Sequence, residues 1–366
     1  MRVSIVGSGA IGLTIAYRLA QEGIDVTVFE QDELASKSSW AGAGILPPSN
    51  DCDPLHPIEH LQSLSNRIHP QLSKELSELT GIDNEYQQCG GIYVARTLGE
   101  AASLSGATTL WKKQGINFQI LDTEELYELE PALEKMSDGP IRTAVLVPSE
   151  SQLRNSRHLK ALIAGCQKLG VNLRSHSRVE DVRQESQVVS FRVNGKRIES
   201  EFVCVASGAW TSKLASQFSK VQVVPIKGHM LLYRLREPVY ERVINEANRY
   251  IVCRRDGHTL VGSSEEETGF DESTSDEEVN RLKQFATSFD PTLNDDHLVR
   301  VWTGLRPMAY DHLPFIGPHS DHPGILFATG HYRSGLHLSP GTAEVICNMV
   351  LGRPNEFDLK ALRPER

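Results

Sequence analysis

Apolar positions near the N-terminus follow first the period of a strand and then the period of a helix. Residues 2–6 are predicted as a short buried strand, and a glycine-rich turn over residues 7–12 follows it. Apolar residues then recur at helical spacing over residues 11–19, and residues 25–30, DVTVFE, form a second predicted strand. The pattern indicates a βαβ unit and therefore a parallel sheet with its helix packed on one face.

Further along the chain, helical and strand-like segments continue with few long loops. Helices are predicted over residues 54–81, 99–114, 123–133 and 157–169, and strands over 90–96, 171–176, 188–193 and 202–205. Between residues 221 and 261 three strand-like stretches, VQVVPIKGHMLLYRL, RYIVCRR and HTLVG, are separated by turns or charged segments. These three stretches predict an antiparallel sheet.

The change of pattern predicts two domains, one inserted in the other. We expect a doubly wound α/β domain formed by residues 1–84, 145–221 and 299–366. Residues 85–144 and 222–298 are expected to form an antiparallel-sheet domain that binds the substrate. No glycine- and serine-rich linker separates the two, so a cleft between them is expected.

Charge and hydropathy exclude several classes of partner. The 366 residues carry 47 acidic and 38 basic side chains, a formal net charge of −9, which argues against a nucleic-acid partner. No uncharged apolar run approaches the ~20 residues that span a bilayer, and no basic and apolar leader precedes the strand at Arg2. We expect no membrane partner and a cytoplasmic location, and a homo-oligomer is compatible with the sequence.

Cysteine and histidine positions give no metal signature. The six cysteines, Cys52, Cys89, Cys166, Cys204, Cys253 and Cys347, form no C-x-x-C pair and are expected to be reduced. His312, His319 and His322 lie near two aspartates, but the prolines among them favour a polar surface loop over a metal site.

The turn after the first strand has the spacing of a dinucleotide-binding motif, Gly7-Ser8-Gly9-Ala10-Ile11-Gly12. Gly7 permits a tight turn, Gly9 lets the backbone approach a pyrophosphate, and Gly12 lets helix and strand pack closely. Glu30 ends the second strand, where a carboxylate accepts hydrogen bonds from ribose hydroxyls and repels a 2′-phosphate, which disfavours NADP. The motif alone does not distinguish FAD from NAD.

A second helix N-terminus is predicted near the other end of the chain. ILFATGHYRSGLHLSPGTAEVI reads as a strand, a glycine-rich turn and a helix capped by Ser339 with Pro340 as its first residue. If this helix points at a flavin ring, its dipole stabilises the negative charge that develops on flavin reduction. The alternative is an ordinary strand-to-helix turn. Arg306, in VWTGLRPM, has a similar alternative as an ion pair with a nearby carboxylate.

Seven blocks in order resemble the glycine and sarcosine oxidase branch of the FAD-dependent D-amino acid oxidase superfamily. They are VGSGAIGLTIAYRLAQEGIDVTVFE, AGAGIL, CVASGAWTSKL, IKGHMLLY, YIVCRRDGHTLVGS, GLRPMAYDHLPFIG and GHYRSGLHLSPGTAEVI. The resemblance implies that the first domain is an FAD-binding domain of the glutathione-reductase-like type. No cysteine lies in the GLRPMAYDHLPFIG block, so we expect non-covalent FAD.

The resemblance also implies roles for individual residues. Arg306 is expected to bind the substrate carboxylate through its planar fork, with Tyr250 adding a third hydrogen bond. Arg333 is expected near the substrate amine and Ile45 on the opposite side of a small pocket. The remaining cofactor-binding residues are expected to be Gly7, Gly9, Ala10, Ile11, Gly12, Glu30, Gly42, Ala43, Gly44, Val179, Ser207, Gly208, Gly330, His331, Arg333, Ser334, Gly335 and Leu336.

Two residues depart from the family pattern. Asn248 and Glu265 stand where a histidine and a methionine are expected near the pocket. The Glu265 carboxylate is interpreted either as a partner for a basic group on a larger amine or as a solvent-facing side chain, and the second interpretation is preferred.

The reaction implied by the resemblance is oxidation of glycine or of another small amino acid or secondary amine. Hydride passes from Cα to flavin N5, the imine hydrolyses to a 2-oxo acid and ammonia, and oxygen becomes hydrogen peroxide. With glycine, the imine would supply the thiazole branch of thiamine synthesis. The alternatives are a dehydrogenase with another electron acceptor, a tRNA-modifying FAD oxidoreductase, and a protein that holds FAD for structure only.

Overall fold

The computed structural model describes residues 1–50, 54–137 and 139–366. Its α-helices are α1 (Ala10–Gln21), α2 (Ser38–Ala41), α3 (Pro57–Thr80), α4 (Leu98–Lys113), α5 (Thr123–Leu129), α6 (Asn155–Lys168), α7 (Thr211–Ala215), α8 (Asp276–Phe289) and α9 (Ser339–Val350).

Its strands fall into two larger and two smaller sheets. They are β1 (Arg2–Val6), β2 (Asp25–Phe29), β3 (Ile45–Leu46), β4 (Gly91–Ala95), β5 (Gln119–Leu121), β6 (Thr143–Val147), β7 (Ser151–Gln152), β8 (Asn172–Arg174), β9 (Val179–Glu185), β10 (Val188–Val193), β11 (Lys196–Ser200), β12 (Phe202–Val205), β13 (Val224–Arg234), β14 (Val243–Glu246), β15 (Arg249–Cys253), β16 (His258–Gly262), β17 (Leu298–Met308), β18 (Phe315–Pro318) and β19 (Ile325–Thr329).

The N-terminal βαβ unit lies at the centre of a six-stranded sheet with the order β18-β19-β12-β1-β2-β8. β1 pairs in parallel with both β2 and β12. Helices α1, α3, α6 and α9 pack on one face around a large apolar core. On the other face β9, β10 and β11 form an antiparallel sheet whose core includes Phe29 and Phe191. The expected α/β architecture is confirmed.

The second large sheet has eight strands in the order β17-β13-β16-β15-β14-β4-β6-β5. Its longest pairing joins β13 to β17 over most of both strands. The sequence predicts a purely antiparallel sheet, but β14 and β4 run parallel, so the sheet is mixed. Helix α8 packs against it through Leu282, Phe285 and Phe289.

Side chains on one face of this sheet form a cross-strand row. Pairing from strand to strand aligns, in order, Tyr93, Asn245, Tyr250, Gly262, Met230 and Trp302. Because neighbouring strands lie about 4.8 Å apart, each residue of the row is within side-chain reach of the next.

Strand pairing differs from the sequence-based boundaries at two places. β6 spans the proposed boundary at residue 145, yet it pairs with β4 and β5 of the eight-stranded sheet. β17 falls in the segment 299–366 assigned to the cofactor domain, yet it pairs with β13. Inter-strand hydrogen bonds decide which sheet a strand joins, and the local sequence pattern does not contain this information.

Several local predictions need correction. The strands predicted within residues 171–205 are expected to return to the first domain, and β8 and β12 do join the six-stranded sheet, whereas β9, β10 and β11 form a sheet of their own. Ser339 does not cap α9: it lies in the first turn, and its hydroxyl donates to the Leu336 carbonyl at 2.9 Å. His319 is buried and bonded to the Phe218 carbonyl, so it anchors its loop rather than facing water.

The described parts of the chain contain no metal cluster, disulfide or bilayer-spanning helix. No cluster of three or more metal-ligating side chains occurs there. The described cysteines are free thiols, and Cys52 lies outside the described residues. No described helix combines the length and the apolar character needed to cross a bilayer.

Three buried histidines meet where α3, α6 and α9 converge. His69 Nε2 donates to the His337 carbonyl at 2.9 Å, and His337 Nε2 donates to Asn66 at 2.7 Å. His158 accepts from Asn84 at 3.0 Å. Burial lowers the pKa of His69 to about 4 and those of His158 and His337 to about 3, because an imidazolium in this apolar setting loses its hydration. All three are therefore neutral in the folded protein near neutral pH.

The histidine cluster predicts that stability falls in mild acid. The folded-state pKa values lie below the ordinary value, so the stabilising contribution is complete above about pH 6.5 and is lost as the pH falls below it. At pH 5.5 each histidine then costs about 1.4 kcal/mol relative to neutral pH. The unfolding free energy, measured by denaturant titration between pH 7.5 and 5.5, should fall less in His69→Gln than in the wild type by about that amount.

His297→Gln, which alters an exposed histidine, serves as the control and should leave the pH dependence as it is in the wild type. Equal slopes for His69→Gln and the wild type would contradict the assignment of His69 as a buried neutral imidazole.

Candidate active site

A single cavity of about 820 Å³ runs from the N-terminal end of α1 to the face of the eight-stranded sheet. Most residues predicted for cofactor and substrate line it: Gly7, Gly9, Ala10, Ile11, Glu30, Gly42, Ala43, Gly44, Ile45, Val179, Ser207, Gly208, Tyr250, Arg306, His331, Arg333, Ser334, Gly335 and Leu336. Gly12 and Gly330 are not among its lining residues. The two predicted groups, cofactor and substrate, therefore share one continuous space.

At the α1 end of the cavity, Gly7 and Gly12 occupy positions where a side chain would collide with neighbouring backbone atoms. Gly7 has a φ of 109°, and a Cβ there would lie 2.4 Å from the Ala206 carbonyl oxygen. A Cβ on Gly12 would lie 2.0 Å from the Gly7 oxygen, so Gly12 permits close helix-to-strand packing although it does not line the cavity. The backbone at this turn is thus exposed at the N-terminus of a helix, which favours an anionic group.

Glu30 lies at the edge of the cavity just after β2. One carboxylate oxygen accepts hydrogen bonds from the backbone N–H and the hydroxyl of Ser8, both at 2.9 Å, and the other accepts from the Asp32 N–H at 3.1 Å. A carboxylate has about four lone-pair sites, so Glu30 retains acceptor capacity for hydroxyl groups. Its orientation is fixed before any ligand arrives.

The middle of the cavity lies between the loop 42–45 and the start of α9. Gly44 has a φ of 78°, and a Cβ there would lie 2.0 Å from the Leu153 oxygen. The buried Arg254 guanidinium donates to the Ala43 carbonyl and to the Gln152 side chain, both at 2.5 Å. Burial lowers the pKa of Arg254 to about 10, with Arg154 adding to the shift. Arg254, which was not among the residues predicted from the sequence, holds this loop in place through these hydrogen bonds.

Leu336 and His337 line the cavity just before α9 begins at Ser339. His331 is buried, and its Nε2 lies 3.0 Å from the hydroxyl of Thr342, which belongs to α9. Burial lowers the pKa of His331 to about 3, so the ring is neutral. The positive end of the α9 dipole therefore carries no competing ionised histidine.

Arg306 projects from β17 into the far end of the cavity. Its guanidinium donates to the Ser263 hydroxyl at 2.7 Å and to the Ser264 carbonyl at 3.1 Å, both neutral acceptors. Within the described parts of the chain, no carboxylate oxygen lies within 4 Å of it, which excludes the ion-pair alternative there. Burial lowers the pKa of Arg306, and the charge of Arg333 adds to the shift. A partly buried cation that is held by neutral oxygens favours an anionic ligand.

Gly228 lies on β13 two residues from Ile226, which pairs with Arg306 of β17, and a Cβ on Gly228 would lie 2.2 Å from a guanidinium nitrogen of Arg306. Because position 228 has no side chain, there is room for the Arg306 guanidinium.

Tyr250 and Arg333 complete this end of the cavity. The Tyr250 hydroxyl lies 3.3 Å from the Met230 sulfur, a weak acceptor that a ligand oxygen can replace. Arg333 donates to the Asn248 carbonyl at 2.9 Å, and its guanidinium lies 4.0 Å from the Glu265 carboxylate. Glu265 is 39% exposed, so the preferred interpretation as a side chain facing only solvent was incomplete, because it faces Arg333 as well.

Sequence reasoning missed a polar group on the opposite wall. Tyr93 and Asn245 both line the cavity, and both donate to the fully buried carboxylate of Glu150, at 2.5 and 3.0 Å. Burial raises the pKa of Glu150 to about 7, although the two hydrogen bonds oppose the shift. The segment PSESQ has no recognisable motif, so only the folded structure reveals this carboxylate.

The lining fits an extended dinucleotide with a ring at its inner end. A glycine turn at a helix N-terminus suits a pyrophosphate, the Glu30 carboxylate suits ribose hydroxyls, and the space between loop 42–45 and α9 suits a planar ring. Arg306 then lies beyond the ring, where it suits a small carboxylate ligand. These residues fit FAD with an amino acid beside its flavin.

Comparisons with known proteins agree with this geometry. The chain is 33% identical over 361 residues to a glycine oxidase from Pseudomonas aeruginosa, covering 98% of this chain and 96% of that protein. It is 31% identical to a bifunctional protein ThiO/ThiG from Trichormus variabilis, covering 97% of this chain and 53% of that one. The crystal structure of glycine oxidase from Geobacillus kaustophilus superposes with a TM-score of 0.93 at 30% identity, covering 100% of this chain and 99% of that chain.

The structure of an iminodiacetate oxidase from Chelativorans is similar in fold, with a TM-score of 0.87 at 22% identity, covering 99% of each chain. The sequence model of the family described as FAD dependent oxidoreductase matches residues 2–349, nearly the whole length. Together with full-length relatives above 30% identity, this match shows that the chain belongs to the FAD-dependent oxidoreductase family.

Proposed function

We propose that this protein catalyses the oxidation of glycine, or of a similarly small amino acid or secondary amine, by FAD and oxygen. Glycine, oxygen and water are converted to glyoxylate, ammonia and hydrogen peroxide. The observation that carries the proposal is Arg306, a partly buried guanidinium at the inner end of a dinucleotide-shaped cavity, which has no carboxylate partner among the described residues. The similarity to glycine oxidases over nearly the whole chain supports it.

The protein's contribution is binding and orientation. Arg306 takes both oxygens of the substrate carboxylate, and the Tyr250 hydroxyl turns from the Met230 sulfur to one of them. Ile45, on β3, limits the pocket on the opposite side, and its apolar side chain excludes water from the substrate Cα. Bound FAD supplies the acceptor for the hydride that leaves Cα. No side chain is required as a general base if the amine binds in its neutral form.

The domain and cofactor assignments follow from the same proposal. Residues 1–84, 145–221 and 299–366 would hold non-covalent FAD, and the rest would carry the substrate, with β6 and β17 contributing to the sheet of the substrate side. The similarity to a bifunctional ThiO/ThiG protein supports a supply of glycine imine to thiazole formation. A cytoplasmic location and a homo-oligomeric state belong to the proposal as well.

The direct test is turnover of the purified yellow protein with glycine, sarcosine, D-alanine and D-proline. Oxygen uptake and hydrogen peroxide formation should be equimolar with glycine or sarcosine consumed. Flavin bleaching without oxygen uptake would instead identify a dehydrogenase with another acceptor. Absence of bleaching with every amine would overturn the proposal, and tight salt-sensitive tRNA binding would favour the tRNA-modifying alternative.

Arg306→Lys should raise KM for glycine by on the order of 100-fold, because an ammonium cannot form two parallel hydrogen bonds to a carboxylate. FAD should remain bound, as judged by the ratio of flavin to protein absorbance. The matched control is Arg300→Lys on the same strand, whose guanidinium lies over the Trp40 ring outside the cavity lining. An unchanged KM in Arg306→Lys would refute the role of Arg306.

Gly7→Ala should lose most of its FAD during gel filtration, because the added Cβ meets the Ala206 carbonyl and the φ of 109° disfavours a side chain. Gly23→Ala is the control: its φ of 76° is also positive, but no atom lies within 4 Å of the added Cβ. Far-UV circular dichroism establishes that both variants are folded. Full FAD occupancy in Gly7→Ala would contradict the proposed cofactor site.

A further inference from the structure

The cross-strand row places a polar wall one strand away from the carboxylate-binding end. Asn245 pairs directly with Tyr250 on β15 and with Tyr93 on β4. Arg306 and Tyr250 hold the carboxylate in the proposed function, so the next strand, at a distance of about 4.8 Å, is where the amino group of a bound α-amino acid would find a partner.

Glu150 determines which atoms this wall presents to the cavity. Its carboxylate oxygens accept the Tyr93 hydroxyl proton and the Asn245 amide N–H. Glu150 takes one of the two amide protons of Asn245, so the amide nitrogen faces Glu150, the carbonyl oxygen Oδ1 is the Asn245 acceptor, and Tyr93 keeps the lone pairs of its hydroxyl oxygen. Both atoms can only accept hydrogen bonds. No cation of the described chain lies within 4 Å of the Glu150 carboxylate, so nothing competes with these two donors.

We propose that Asn245 Oδ1 accepts an N–H from the substrate amine and that Glu150 is the positioning residue that fixes the amide in that orientation. This inference rests on the proposed function and deepens it. A neutral amide suits the task, because a carboxylate in contact with the amine would stabilise the ammonium form, which cannot release hydride. Glu150 therefore acts through Asn245 rather than on the substrate.

The arrangement defines a substrate class. A primary or secondary amine keeps at least one N–H when it is neutral, so glycine and sarcosine satisfy Asn245 Oδ1. A tertiary amine such as N,N-dimethylglycine has none in its neutral form and leaves the acceptor unpaired in a desolvated site. Such compounds should bind through their carboxylate and yet be poor substrates.

The experiment compares ligands with and without an N–H in Glu150→Gln and Asn245→Leu. A glutamine at position 150 can donate to Asn245 Oδ1, which would turn the amide and point its NH₂ at the substrate. Leucine at position 245 is similar in size but has no acceptor. Both variants should raise KM for glycine about tenfold, the effect of one lost hydrogen bond. Assays at about pH 8.5 keep Glu150 ionised in the wild type.

Acetate provides the matched control, because it carries the carboxylate but no amine. Its dissociation constant, measured from the change in flavin absorbance without turnover, should stay within about twofold of the wild-type value in both variants. If Glu150→Gln loses FAD, glycine and acetate are compared in Asn245→Leu alone, because this variant leaves the buried Glu150 carboxylate in place.

The outcomes distinguish a failure of this inference from a failure of the proposed function. A raised KM for glycine with an unchanged dissociation constant for acetate supports the inference. If both ligands bind more weakly to the same extent, or if the binding of neither changes, the inference is overturned while the proposed function stands. A wild-type protein that binds FAD but oxidises neither glycine nor sarcosine overturns the proposed function and this inference together.

Discussion

The inner cavity depends on one partly buried positive charge. The Arg306 guanidinium is desolvated, is held by neutral oxygens, and has a second arginine nearby that disfavours its charge further. In the folded protein this charge is costly, and an anionic ligand removes much of the cost when it binds. The surroundings are consistent with that requirement, because Gly228 leaves room for the guanidinium and the Tyr250 hydroxyl donates to the weak acceptor Met230.

Two sheets with different tasks meet at this charge. In the six-stranded sheet, β1 and β2 end in the glycine turn and in Glu30, which are formed within the first 30 residues and depend mainly on local backbone geometry. The mixed sheet supplies the substrate wall through side chains on separate strands. Loop 42–45 lies between them, fastened by Arg254, so the boundary between the cofactor side and the substrate side is set by a backbone segment rather than by mobile side chains.

Sequence reasoning succeeded where function depends on short contiguous patterns. The first strand, helix and second strand were predicted nearly to the residue, and the lining of the cavity includes almost every residue chosen from the glycine motifs and from the GLRP and GHYRSG blocks. It failed where the partner is distant in the chain. β17 joins β13 across about 70 residues, and Glu150 meets Asn245 across 95, and neither contact leaves a periodic trace in the sequence. Ser339 illustrates a smaller error, since residue type alone does not fix the position at which a helix begins.

The cross-strand row has a consequence for how such an enzyme diversifies. Its cavity-lining members, Tyr93, Asn245, Tyr250 and Met230, come from β4, β14, β15 and β13, so each can change without altering the glycine turn that lies on the other sheet. Single substitutions along this row would alter the length, polarity and hydrogen-bonding character of the substrate wall one strand at a time. A fold arranged in this way can acquire activity on new amines while the residues proposed to bind FAD stay constant.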